Sequence, residues 1–143
     1  MKQTENIKHV VLIIEDHDII ISRIAEILRR SEIQFIFATN HADALKLFEA
    51  NAHLLAFVAL DGNLNTVPGE HPDTLVIARA IRRSVNFKGN VYVMSGCPDH
   101  NRQLLIVLGN KGTSVGNNLE VSKLDTVNEI STKVKMICLE SKN

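Results

Sequence analysis

Five polar residues stand just beyond short apolar runs. Glu15 and Asp16 follow His9–Ile14, Asp61 follows Leu54–Leu60, Ser95 follows Asn90–Met94, and Lys123 follows a weaker run around Leu119–Ser122, which Glu120 interrupts. Three carboxylates, a hydroxyl and an ammonium are the parts that phosphoryl transfer to an aspartate needs, provided the fold gathers them. Carboxylates crowded into one space repel one another unless a cation neutralises them, and a set of hard oxygen donors favours Mg2+ over zinc or copper. Such an ion offsets charge on the phosphoryl oxygens while a carboxylate oxygen attacks in line with the leaving group. An aspartate is a competent nucleophile there and yields an acyl phosphate. Lys123 can bind a phosphoryl oxygen as a point cation, and Ser95 can donate a hydrogen bond to another. Taken singly, each residue has an ordinary reading: Glu15-Asp16 a solvated turn, Asp61-Gly62 a turn signal, Ser95-Gly96 a strand-to-helix cap, Lys123 a surface lysine. Their joint placement points to a site.

The elements that would position them alternate. The apolar runs His9–Ile14, Ile33–Thr39, Leu54–Leu60 and Asn90–Met94 read as near-continuous strands covered on both faces, with a fifth near Leu119–Ser122. Between them lie segments of helical period. Ile20, Ile24, Ile27 and Leu28 share one face behind Asp18 as N-cap, and Asn40 with Asp43 opens a second helix to about Asn51. A third runs over Asp73–Ser84, a fourth from Pro98 to its stop at Gly109, and a fifth follows Asp125 with Val127, Ile130, Val134 and Ile137 as its stripe. Strict alternation predicts a single doubly wound, five-stranded parallel α/β sheet flanked by five helices. Ligands in such sheets bind outside the carboxyl ends of the strands, where the five polar residues fall.

The order of these residues resembles the receiver domain of response regulators in two-component signalling, a flavodoxin-like fold, over about residues 8–139. That family shows an acidic pair after strand one, a phosphoacceptor Asp after strand three, Thr or Ser after strand four and Lys after strand five. This chain has IIEDHD, VALDGN, VMSG and VSK in those places, with 45 residues from Asp16 to Asp61 and 34 from Asp61 to Ser95. The resemblance implies Asp61 as the phosphoacceptor. It implies a Mg2+ site built from Glu15, Asp16, Asp61 and the backbone carbonyl of Asn63. Ser95 and Lys123 would bind the phosphoryl group, and the movement of Ser95 would switch a docking surface around the fourth helix, fifth strand and fifth helix. The implied donor is a sensor histidine kinase or phosphotransfer protein, the implied target a downstream protein, and the implied chemistry no more than the domain's own phosphorylation and dephosphorylation. The sequence leaves a homodimer open.

Some positions depart from the family pattern. Leu124 follows Lys123 where a cis-proline is common, and Glu120 stands where many members carry an aromatic switch residue. The stretches after Asp61 and over Lys111–Asn118 are longer than usual. The missing proline and missing aromatic favour an alternative, a degenerate receiver that docks a partner without being phosphorylated.

Composition narrows the remaining classes. A chain of 143 residues suits one domain, read here as residues 1–143. Lys plus Arg (16) balances Asp plus Glu (16), so no basic field exists to drive direct DNA or membrane binding. Two cysteines, Cys97 and Cys138, make no disulfide framework, and Val10–Ile14 is too short for a signal or membrane segment, so the expected location is cytoplasmic. The six histidines show no ligand spacing to one another, and Arg79, Arg82 and Arg83 read as a solvated basic face.

Overall fold

The computed structural model of the chain describes residues 10–62, 64, 74–94, 98–114 and 131–132. In chain order it forms β1 (Val10–Ile14), α1 (Asp18–Arg30), β2 (Gln34–Ala38), α2 (His41–Asn51), β3 (Leu55–Leu60), α3 (Leu75–Arg83), β4 (Asn90–Val93), α4 (Pro98–Leu108), one 3-10 turn (Gly109–Lys111) and β5 (Gly112–Ser114). All strand pairs are parallel and the order across the sheet is β2-β1-β3-β4-β5. This is the expected α/β architecture. The expected fifth helix lies outside the described residues except for Ser131 and Thr132, which are helical.

Period-two alternation divides the core between the two sheet faces. Leu12, Ile14, Val58, Leu60, Val91 and Val93 pack with Phe48 of α2, Ile77 and Ile81 of α3, and Leu104 and Leu108 of α4. Val11, Ile13, Phe57, Ala59, Tyr92 and Met94 pack with Ile20, Ile24 and Leu28 of α1. Each fully buried aliphatic side chain contributes about 1.5–3 kcal/mol, which sets the registry of the central strands more firmly than strand propensity does. β2, expected to be covered on both faces, is instead an edge strand. Gln34 and Phe37 are exposed, while Phe35 and Ile36 are only partly buried.

Two helix ends show how local chemistry fixes the path. Asn40 caps α2 as expected: its Oδ1 accepts the Asp43 N–H at 2.9 Å, and its Nδ2 donates to the Asp43 carboxylate at 3.0 Å. α1 differs, because Asp18 is its first helical residue and His17, in extended conformation, precedes it without a side-chain cap. The turn is held from further upstream by Glu15. At its other end, α1 closes with the N–H of Ile33 on the Leu28 carbonyl and that of Glu32 on Arg29, a Schellman arrangement that puts Glu32 at φ 58°.

A strand forms within the stretch Lys111–Asn118, which the sequence reads as an extended loop. The strand beside β4 is Gly112–Ser114, in the register Val91–Gly112, Tyr92–Thr113 and Val93–Ser114. The run at Leu119–Ser122 lies outside the described residues. Gly112 is needed where it stands, because a Cβ there would come within 2.9 Å of the Leu108 Cβ, so only a glycine lets β5 pass under α4.

Candidate functional site

Strand order reverses at β1: the chain passes from β1 outward to β2, then back across to β3. In an open parallel sheet the carboxyl ends on either side of such a reversal splay apart and leave a crevice. The register that pairs Ile14 with Leu60, and Leu60 with Val93, runs on one residue past the strands. The Asp61 N–H donates to the Ile14 carbonyl at 3.0 Å, the Glu15 N–H to Ala38 at 3.1 Å, and the Met94 N–H to Leu60 at 2.9 Å. Glu15 and Asp61 are therefore neighbours on adjacent strand ends, with backbones about 4.8 Å apart.

Both carboxylates are buried, Glu15 at 0% and Asp61 at 3% exposure, which is rare for acids and costly without compensation. Part of the compensation is local. Glu15 Oε2 accepts the N–H groups of Asp16 (3.0 Å) and His17 (3.1 Å), and Asp61 Oδ1 accepts the Gly62 N–H at 2.7 Å. Asp16 beside them is partly exposed. Glu15, Asp16 and His17 can each offer one ligand atom, all within 4.8 Å of one another. With Asp61 one strand away, the donors are mostly carboxylate oxygens, a set that fits a hard divalent cation.

The structure thus places Glu15 and Asp16 in one cluster, with the backbone of Asp61 on the neighbouring strand end. Asn63, Ser95 and Lys123 lie outside the described residues, as do Cys97, Glu120 and Leu124. Two contributors escaped the sequence reading. His17 has no histidine partner at ligand spacing, yet it joins the cluster, and its adjacency to the acidic pair was the available signal. Thr74, fully buried, donates its hydroxyl to the Asp61 carbonyl at 2.5 Å and its N–H to the Gly62 carbonyl at 3.1 Å. Nothing in sequence announces a bond across 13 positions. The basic face of α3 is also more than solvated: Arg82 reaches the Val107 carbonyl at 3.5 Å.

Neither a family model nor a curated protein matches the sequence. Solved structures do. The receiver domain of the Francisella response regulator 1452 superposes with a TM-score of 0.65 at 16% identity, covering 94% of this chain and 99% of that one. The phosphorylated cyanobacterial phytochrome response regulator RcpA gives 0.63 at 21% identity, with 91% of each chain covered. A Burkholderia pseudomallei response regulator, solved with a phosphorylated aspartic acid, calcium ion and citrate, gives 0.60 at 19% identity, covering 90% of this chain and 72% of that one. At such identities the likeness establishes the fold, and the fold is that of response-regulator receiver domains.

Proposed function

We propose that this chain is a phosphoacceptor receiver domain, spanning the whole sequence, in which Asp61 takes a phosphoryl group from a phosphohistidine of a sensor kinase or phosphotransfer protein. The observation that carries the reading is the buried pair Glu15 and Asp61 on adjacent strand ends, with Asp16 next to them, at the reversal of strand order. In the transfer, an Asp61 carboxylate oxygen forms the new P–O bond while the P–N bond to imidazole breaks and the departing ring keeps the electron pair and takes a proton. Glu15, Asp16, Asp61 and the backbone carbonyl of Asn63 would hold Mg2+. The ion supplies charge neutralisation at the phosphoryl oxygens. Ser95 and Lys123 would bind those oxygens, an assignment that rests on the resemblance in sequence order. The change in charge at Asp61 would bias a rearrangement around α4, β5 and the residues after them, where a downstream protein docks.

Charge balance supports a protein target over direct DNA contact. No helix among the described residues is long and apolar enough to cross a membrane, in keeping with a proposed cytoplasmic site of action. The test is incubation with acetyl phosphate and Mg2+ followed by intact mass. A gain of one phosphoryl group is expected, absent in Asp61→Asn and in chelator; an unmodified wild type would sink the reading.

One observation favours a second reading, a degenerate receiver that binds its partner without phosphorylation. Glu120 stands where many members of the receiver family carry the aromatic residue that switches with Ser95. An unmodified wild type that still captured a partner would select this alternative.

A further inference from the structure

Gly62, just past β3, and Thr74, just before α3, are held together by the bonds of one residue. Thr74 directly precedes α3, where a threonine hydroxyl usually accepts an N–H from the first turn of its own helix. Here it makes no such cap bond. Its carbonyl still starts the helix by accepting the Ala78 N–H at 3.0 Å, but the hydroxyl turns toward β3 and donates to the Asp61 carbonyl at 2.5 Å, with the Gly62 carbonyl 3.3 Å away. The Thr74 N–H takes that second carbonyl at 3.1 Å.

The Asp61 carbonyl and the Gly62 N–H are two ends of the same rigid peptide plane. Thr74 grips the oxygen end. The Asp61 carboxylate grips the nitrogen end, through Oδ1 on the Gly62 N–H at 2.7 Å. On the other side of the residue, the Asp61 N–H is fixed to the Ile14 carbonyl. The plane cannot rotate without breaking either the threonine bond or the carboxylate's own anchor, so the hydroxyl of Thr74 sets where the carboxylate points. Thr74 and Asp61 are both buried, at 0% and 3% exposure, where water does not compete for these bonds.

We propose that Thr74 is the positioning residue of this site: its buried hydroxyl locks the Asp61–Gly62 peptide and through it aims the Asp61 carboxylate for both cation binding and phosphoryl transfer. This rests on the reading of Asp61 as acceptor. It adds a residue that touches neither the phosphoryl group nor the cation. Misplacement of a reacting group by about 1 Å can lower a rate by about a hundredfold, so loss of the hydroxyl should be felt well beyond its effect on folding.

The experiment compares wild type with Thr74→Val, which keeps shape and removes the donor, Thr74→Ser, which keeps the donor, and Thr74→Ala, which gives the same comparison should valine overpack. Three quantities are measured: the thermal melt, the affinity for Mn2+ by titration without phosphodonor, and the rate of phosphorylation by acetyl phosphate with Mg2+. The folded Thr74→Val or Thr74→Ala protein is expected to bind Mn2+ several-fold more weakly and to phosphorylate at least about tenfold more slowly, and Thr74→Ser to stay within about threefold of wild type in both. Wild-type affinity and rate in a folded variant lacking the hydroxyl would overturn the inference and leave Asp61 as acceptor intact. A wild type that takes no phosphoryl group overturns the acceptor reading instead, and the Mn2+ affinities then still decide whether Thr74 orients the carboxylate.

Discussion

Lys111 Nζ lies 2.7 Å from the carbonyl oxygen of Ser84, just past the end of α3. The same ammonium donates to the carbonyls of Phe87 at 3.2 Å and Ile81 at 3.3 Å and rests 5.6 Å from the centre of the Phe87 ring. A lysine in the turn before β5 therefore closes α3, while Arg82 of α3 reaches back to Val107 near the end of α4. Burial first, then Lys88 and Arg82, lower the Lys111 pKa below the ordinary 10.5. The unfolded chain thus holds this proton to higher pH than the folded one, so the contribution of Lys111 to stability rises with pH across the alkaline window up to 10.5. Lys111→Met should cost about 1–3 kcal/mol at neutral pH through the lost charge-assisted bonds. In urea melts, the gap between wild type and variant should widen toward the top of that window; a gap that narrows would contradict the assignment.

Glu15 and Asp61 are buried acids on adjacent strand ends, so folding without a cation takes two carboxylates out of water. Asp61→Asn keeps an oxygen for the Gly62 N–H and removes one of the charges. In chelator the variant should be more stable than wild type by about 1 kcal/mol, a rise of roughly 3 °C in melting temperature for a domain of this size. Mg2+ should reverse the order, since a ligand at a hundred times its Kd adds about 2.7 kcal/mol to the chain that binds it. Thermal melts in chelator and in Mg2+ decide this, and a wild type unaffected by Mg2+ would remove the cation site.

Much of this arrangement was legible in the residues themselves. The apolar runs of β1, β3 and β4 and the Asn40 cap declare themselves locally, and Glu15 and Asp61 end two of those runs on adjacent strands. What failed was whatever tertiary contacts decide. Gly112-Thr113-Ser114 has no apolar run; it becomes a strand because Val91, Tyr92 and Val93 offer an open ladder and Gly112 fits beneath Leu108. Asp18 has the chemistry of a cap, but the carboxylate of Glu15 already holds the two N–H groups leading into α1. Thr74 looks like an ordinary helix start, and only the returning chain brings its hydroxyl to Asp61.

Gly109 ends α4 at φ 61°, and a Cβ there would stand 1.8 Å from Arg82 Nη1. The guanidinium is the far end of a flexible side chain and can swing away, at the loss of its bond to Val107. The backbone cannot, and a left-handed residue with a Cβ costs about 1–2 kcal/mol. Gly109→Ala should therefore destabilise by about that amount plus the lost Arg82 bond to Val107. In the background of Arg82→Ala only the backbone part should remain, so the double-mutant cycle should show a coupling of roughly 0.5–1 kcal/mol. Zero coupling would mean that Arg82 does not contribute to the α3–α4 contact.

Lys123 decides between the two readings of the site. Ser114 pairs with Val93 toward the end of the sheet where Asp61 lies. Lys123 comes nine positions after Ser114. The eight intervening residues could span roughly 26 Å if extended, so reach is not limiting. The ammonium meets an acyl phosphate on Asp61 only if the residues between Ser114 and Lys123 bring it to that end of the sheet. A phosphoacceptor domain in which they do so should lose most of its charge complementarity in Lys123→Ala, with phosphorylation at least about tenfold slower at fixed Mg2+ and acetyl phosphate. Lys123→Arg, which keeps the charge but not the point geometry, should fall between. If Lys123→Ala takes up phosphate at the wild-type rate, Lys123 plays no part in the site; if neither protein takes it up, the phosphorylation-independent module is the function that the fold serves.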